Sequence, residues 1–379
     1  MKVSAFLVLG TYVSALLEDQ AAKWDYDSTF SGISSFAHLD HVKCSTHTEE
    51  PFDIAVVGVP FDTVVSYRPG ARFGPRAIRA ASSRQTRFRS FNARAGLNPY
   101  ANWARIIDCG DIPASPFNPK VALTHMEVGM RELLDHPTAS DNTASGLSSD
   151  RKSHPQLVTS GGDHSISLAA SRALKDIYGP IHMIHFDAHL DTWAGDNYPG
   201  WGYDEENSAE FTHGTMLWMA AREGSLANGS CIHAGLRTRL SGVDYSDYLS
   251  DKNQGWTYIE AHEIDFIGVA GIIDKIKSVV GDGPVYSSLD IDTIDPGMAP
   301  GTGTPEIGGW TTRELRSIFR GLEDSNFVGF DVVEVAPAYD DNSESTALAA
   351  AELAFEMIST FVKKPLNPLN TDSKAHDEL

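Results

Sequence analysis

Three short segments of this chain hold six side chains able to ligate a metal ion. They are Gly161-Gly162-Asp163-His164-Ser165, Phe186-Asp187-Ala188-His189-Leu190-Asp191 and Leu289-Asp290-Ile291-Asp292. Thr212-His213-Gly214 lies between the last two. The candidate ligands are His164, Asp187, His189, Asp191, Asp290 and Asp292. Asp187, His189 and Asp191 recur at i, i+2 and i+4, and Asp290 and Asp292 at i and i+2. On an extended strand such positions share one face, so the spacing predicts that each group aims its ligands one way. Carboxylates and imidazoles crowded like this repel and desolvate one another unless a cation holds them.

The donor set is two imidazoles and four carboxylates with no thiolate. That suits manganese better than a structural zinc site, although imidazole also accepts zinc, iron or nickel. Six side chains exceed what one catalytic ion with an open position needs. They suit two ions about 3.5–4 Å apart with bridging carboxylates, a pair that lowers the pKa of a shared water. The chemistry expected is hydrolysis. No cofactor fingerprint points to redox work.

These ligands need strand ends to carry them. Short apolar runs at Ile54–Gly58, Arg105–Asp108, Leu157–Thr159, Ile181–Phe186, Ser230–Ala234, Trp256–Ile259, Val285–Leu289 and Val328–Val333 read as strands. Helical patterns lie between most of them: from Pro75, over Lys120–Leu134, Ile166–Tyr178, Ala270–Val280, Thr312–Leu322 and Glu344–Val362. The alternation predicts a single three-layer α/β/α domain with a mainly parallel sheet. Three of the strands then end at the ligand segments, where open α/β sheets bind ligands. Residues 137–156 read as a polar surface insertion. Residues 193–210 read as a second, walling the mouth of the site; the acidic run at 204–206 within it reads as a solvated loop.

The formal net charge of -21 argues against a nucleic-acid partner and favours cationic small molecules and metal ions. Residues 1–15 read as a signal peptide, 16–50 as an irregular arm, 51–364 as the catalytic domain and 365–379 as a tail. That tail ends His376-Asp377-Glu378-Leu379, an endoplasmic-reticulum retention signal whose partner would be a retention receptor. No apolar stretch beyond the N-terminal one reads as long enough to cross a membrane. Of the three cysteines, Cys109 and Cys231 lie in apolar stretches and read as buried thiols. Asn228-Gly229-Ser230 is a glycosylation sequon, meaningful only in the secretory lumen.

The chain resembles the ureohydrolases of the arginase and agmatinase family, agmatinases above all. The resemblance rests on Gly58 to Asp62, Arg68 to Pro75, Asp108 to Asp111, Gly161 to Ser165, Phe186 to Asp191, Phe211 to Thr215, Ser288 to Pro296, Ala299 to Pro305 and Asp331 to Val335. It implies two Mn(2+) ions, with His164, Asp187, Asp191 and Asp290 holding one and Asp187, His189, Asp290 and Asp292 the other. By the same resemblance Asp191 orients the hydroxide, Glu334 grips a guanidinium group and His213 binds substrate or passes a proton to the leaving amine. The reaction implied is cleavage of agmatine to urea and putrescine by a homo-oligomer. The alternative is 4-guanidinobutyrate as substrate. From other classes come a single-zinc deacetylase, which the second ligand set and Glu334 disfavour, and a non-catalytic binding protein, which should have lost a ligand. His182, His185 and His233 lack ligand spacing and read as core residues or neighbours of the ligands, and Met126 and Met130 as packing.

Overall fold

Runs of aliphatic and β-branched residues become the strands of one sheet. The structure is a computed structural model, and it describes residues 28–141, 146–195 and 211–366. The strands are β1 (Ile54–Val59), β2 (Ile106–Asp111), β3 (Gln156–Gly161), β4 (His182–Phe186), β5 (Cys231–Leu236), β6 (Trp256–Glu260), β7 (Val285–Asp290) and β8 (Phe327–Val333). They lie in the order β2-β1-β3-β8-β7-β4-β5-β6, and every named pairing is parallel. Parallel strands need both faces covered. Along β1, Ile54 and Val56 enter one core while Ala55, Val57 and Val59 enter the other.

Helices supply the two outer layers. One core takes α1 (Gly74–Ala81), α6 (Ile264–Val280), α7 (Thr312–Gly321) and α8 (Ser345–Lys363). The opposite core takes α2 (Pro119–Leu134), α3 (Ile166–Tyr178) and α4 (Met216–Arg222). Helix α5 (Ser246–Asn253) follows β5. The three-layer arrangement agrees with the sequence expectation. Gly268, at φ 64 and ψ 176, interrupts α6, so its regular part starts close to the expected Ala270. The short helices α4 and α5 were not legible as periodic segments. Helix α8 is long and apolar enough to span a membrane, contrary to expectation, yet 78% of it is buried as a core helix here.

Register positions the chemistry. Strands β3, β8, β7 and β4 are neighbours, with Phe186 paired to Leu289 and Leu289 to Val332. The segments leaving these four strands therefore emerge at one level and on one edge of the sheet, next to one another.

The thiol expected at Cys109 is corrected. Cys109 on β2 is bonded to Cys44, with 5.3 Å between their Cα atoms, while Cys231 is free and buried. The arm that carries Cys44 runs along β2, the edge strand: Val42 N donates to Asp108 O at 2.9 Å and Asp108 N to Asp40 O at 3.0 Å. This covers the exposed edge of the sheet. The 137–156 insertion is tied back by Ser140, whose N and Oγ donate to Asp53 Oδ1 at 2.9 and 2.8 Å. The signal-like segment, the HDEL tail and residues 196–210 of the second insertion lie outside the described residues.

Candidate metal centre and its surroundings

The six expected ligands converge, but not by the geometry that their spacing suggested. Strand β4 stops at Phe186, and Asp187 to Asp191 form a loop in which Asp191 takes φ 53. Asp290 is the last residue of β7, and Ile291–Thr293 is a single 3₁₀ turn. Turns, not a shared strand face, gather the carboxylates. Their backbone is pinned locally: His189 N donates to Asp187 Oδ1 at 2.6 Å, and Asp292 N to Asp290 Oδ1 at 2.8 Å.

His164 sits at the centre. Its Nδ1 lies 2.9 Å from Asp187 Oδ2 and 3.3 Å from both Asp191 Oδ2 and Asp290 Oδ2. Its Nε2 lies 2.7 Å from Ser288 Oγ, which spends its own proton on Asp331 Oδ1 at 2.7 Å. Ser288 can therefore only accept from His164, which puts the ring proton on Nε2 and a lone pair on Nδ1. Asp331 is fully buried and also takes hydroxyl protons from Ser167 and Tyr286, each at 2.6 Å.

A second group lies alongside. His189 Nδ1 is 3.2 Å from Asp187 Oδ1 and 3.1 Å from Asp292 Oδ2, and its Nε2 is 3.8 Å from Glu306 Oε1. Potential ligand atoms of His164, His185, Asp187 and Asp191 lie within 4.8 Å of one another, as do those of Asp187, His189 and Asp292. Asp187 belongs to both groups. His185, read from sequence as a core residue or a neighbour of the ligands, stands in the first, its Nε2 3.1 Å from Asp187 Oδ2. Behind it His233 and Asp251 continue inward, with His185 Nδ1 2.8 Å from His233 Nδ1 and His233 Nε2 3.1 Å from Asp251 Oδ1.

The donor set fits divalent cations. His164 Nδ1, His185 Nε2 and Asp187 Oδ2 are buried without a hydrogen-bond partner among the described residues, although they face one another. Two lone pairs and a carboxylate oxygen do not remain together in a dry site unless something positive sits between them. The electrostatics agree. Burial and the neighbouring carboxylates Asp292 and Asp187 push Asp290 well above its ordinary range, and burial with Asp187 raises Asp191 and Asp292. Burial opposes charge on His164, yet Asp187, Asp191 and Asp290 still raise it well above a free imidazole. Without metal the cluster takes up protons in place of cations.

Beside the ligands stands a carboxylate-imidazole pair. Glu334 follows β8 at φ 61, and its Oε1 accepts from His164 N at 3.0 Å and lies 3.1 Å from His213 Nδ1. Asp191 and Glu334 are both non-glycine residues in the left-handed region, a local cost typical of functional sites. His213 Nε2 accepts from Ser66 N at 3.0 Å, and that amide can only donate. The His213 proton therefore sits on Nδ1, toward Glu334. Burial opposes charge on His213, but Glu334, Asp191 and Asp163 leave its pKa raised. Gly303 keeps the other oxygen of Glu334 clear: a Cβ there would lie 2.7 Å from Arg68 O and 3.5 Å from Glu334 Oε2.

Residues 52–359 match the Arginase family. The chain belongs to the arginase family. Among its relatives, "Putative agmatinase 1" of Schizosaccharomyces pombe is 48% identical over 340 residues, 90% of this chain and 85% of the relative. The agmatinase of Enterobacter sp. strain 638 is 39% identical over 311 residues, 81% of this chain and 86% of the relative. Proclavaminate amidino hydrolase from Streptomyces clavuligerus superimposes with a TM-score of 0.75 at 32% identity, covering 89% of this chain and all of that one. The chain is thus an arginase-family hydrolase, agmatinase-like, with a buried cluster of metal-ligating residues.

Sequence reasoning missed Ser288, Glu306 and Asp251 in this arginase-family site, while His185, read as a core residue or a neighbour of the ligands, does stand beside Asp187. Ser288 precedes Asp290 by two residues on the same strand face, a visible signal. Glu306 abuts the Ala299–Pro305 segment. The pairing of His233 with Asp251 joins β5 to α5 and left no pattern in the chain.

Proposed function

We propose that this chain is a binuclear manganese amidinohydrolase that converts agmatine to urea and putrescine. The observation that carries the proposal is the bond from His164 N to Glu334 Oε1, at 3.0 Å. It ties a guanidinium-accepting carboxylate to the backbone of a residue whose imidazole faces the metal cluster. Relatives named as agmatinases support the choice of substrate.

His164, Asp187, Asp191 and Asp290 would hold one ion, and Asp187, His189, Asp290 and Asp292 the other, with Asp187 and Asp290 serving both. Bound there, the two ions lower the pKa of a water and supply hydroxide at neutral pH. Asp191 accepts a hydrogen bond from the nucleophile and turns its lone pair toward the guanidinium carbon. Glu334 receives the guanidinium N–H groups on Oε2, the oxygen that Gly303 leaves open, as a planar cation prefers. Its Oε1 stays on His164 N and His213 Nδ1. His213 takes on Nε2 the proton that the water gives up and passes it to the leaving amine. To carry that proton the imidazole must release Ser66 N, while its Nδ1–H keeps it on Glu334. The products are urea and a primary amine.

Purified, manganese-loaded protein should release urea from agmatine faster than from arginine or 4-guanidinobutyrate. No urea from any guanidino compound sinks the reaction class. Faster turnover of 4-guanidinobutyrate reassigns the chain to that substrate.

We further infer a lumenal address in the endoplasmic reticulum, through a signal peptide and retention by His376 to Leu379. The Cys44–Cys109 bond supports it, because disulfides persist in oxidising compartments. So does Asn228, which is exposed, as a glycosylated residue must be. Replacing the last four residues with Ala should send the protein into the medium; an unchanged location refutes the address.

A further inference from the structure

From Thr63 to Ile107 the chain holds nine arginines and no Asp, Glu or Lys, although its net charge is -21. Arg72 pairs with Asp62, Arg79 with Asp108 and Asp111, and Arg105 with Glu50. Arg84, Arg89 and Arg94 have no carboxylate partner among the described residues, and all three are exposed. They meet Arg316 and Arg320 of α7 around a cavity of about 700 Å³. The latter two are fixed in place. Glu356 accepts from Arg316 at 2.8 Å and from Arg320 Nε at 3.1 Å, and Glu352 accepts from Arg316 at 2.7 Å.

Five guanidinium groups thus surround one cavity with two carboxylates to balance them. Like charges so gathered repel, and an anion among them relieves that repulsion. Ser90 is a second and independent sign of a ligand. It lines the same cavity, is 4% exposed, and its Oγ has no hydrogen-bond partner among the described residues. A buried hydroxyl left without a partner is unfavourable, and an acceptor oxygen would relieve it. The planar forks of arginine match phosphate oxygens in pairs, and a surplus of this size suits a multivalent anion over a single carboxylate. A cavity of this volume exceeds one phosphate, and Phe91 and Phe355 give it apolar walls. None of its lining residues belongs to the metal centre.

We propose that this cavity is an oligophosphate-binding site, taking a di- or triphosphate group either free or carried on a nucleoside. It is independent of the guanidino chemistry proposed above.

The test is calorimetric titration of the full-length, metal-loaded protein with inorganic triphosphate, ATP and AMP. One saturable site is expected, weaker for AMP and weakened by salt. Similar affinity for triphosphate and ATP places recognition in the phosphates alone; tighter ATP binding adds the nucleoside. The triple variant R84Q/R89Q/R94Q should bind at least tenfold more weakly, and R84K/R89K/R94K should fall between. Equal melting temperature and circular dichroism certify folding. Oligophosphates also chelate divalent ions, so native and variant proteins are compared at the same metal content. Equal binding by both would assign the heat to the metals and overturn the proposal. So would a native protein blind to triphosphate; if its variant also dissociates in light scattering, the arginines form a seam between copies instead.

Discussion

Ser288 Oγ accepts the Nε2 proton of His164 at 2.7 Å because its own proton is committed to Asp331. Three buried residues thereby decide which nitrogen of His164 is free to ligate. Ser288→Ala removes the acceptor and leaves the tautomer unset. Losing such an outer partner typically weakens metal binding about 10–100-fold. Chelator competition on the variant should show a loss of that size, with kcat per bound metal nearly unchanged at saturating manganese. Unaltered affinity would mean that Ser288 merely fills space.

Asp290→Asn should lower bound metal and activity together. Asp290 Oδ2 is 3.3 Å from His164 Nδ1, and the carboxylate would serve both ions. Elemental analysis beside urea release checks it. A variant that keeps two ions and full activity refutes the shared-ligand assignment.

The sheet and most of its helices were legible because buried parallel strands read as apolar runs and amphipathic helices as 3.6-residue periods. The clustering of the six side chains was legible for a reason that the structure revises. Alternating carboxylates do mark the site, but Asp191 at φ 53 and the turn over Ile291–Thr293 gather them, not a strand face. His185 lacks ligand spacing and reads as a core residue or a neighbour of the ligands, and both readings hold. Burial pushes its pKa down to about 3, so it does stay neutral like a core residue, and it touches Asp187. What spacing cannot carry is partnership across the fold. His233 with Asp251 and Cys44 with Cys109 are joined only by tertiary structure, and cysteine connectivity does not follow from sequence.

Glu334→Gln should impair catalysis without loss of metal. The amide oxygen can keep His164 N and His213 Nδ1, while the amide NH₂ replaces the oxygen beside Gly303 and confronts a guanidinium. Charge-assisted hydrogen bonds contribute about 1.5–3 kcal/mol each, so kcat/KM should fall about a hundredfold or more. Steady-state kinetics with metal analysis on one preparation decides it. Wild-type kcat/KM would remove Glu334 from substrate binding.

Asp163 gives the metal-free protein a pH dependence. Burial and the Glu334 charge raise its pKa to about 7, while an unfolded aspartate titrates at about 3.9. Between those values the folded protein binds a proton that the unfolded chain has lost. Its contribution to stability is therefore full below about pH 4 and falls as pH rises to about 7, then levels. Asp163→Asn keeps an oxygen for Ser165 and has no proton to lose. Urea denaturation of chelator-treated protein should show a flatter pH profile for the variant across that window. Parallel profiles would place the titration elsewhere.

The Cys44–Cys109 bond makes a separable prediction, because Cys231 is free and buried. Burial also pushes the Cys231 thiol up to about 12, so it should be inert in the native protein. Thiol titration should count none in the native, unreduced protein and one after denaturation; only reduction should release all three cysteines of the sequence. The bond closes a loop with a sequence separation of 65, and tying such a loop stabilises by about 2–4 kcal/mol. The double variant C44S/C109S should melt lower than the oxidised protein and should be indifferent to reductant. Since the bond fastens the arm along β2, limited proteolysis of that variant should cut first between the arm and β1. Three thiols in the denatured, unreduced protein would show that the arm is held by Val42 and Asp40 pairing alone.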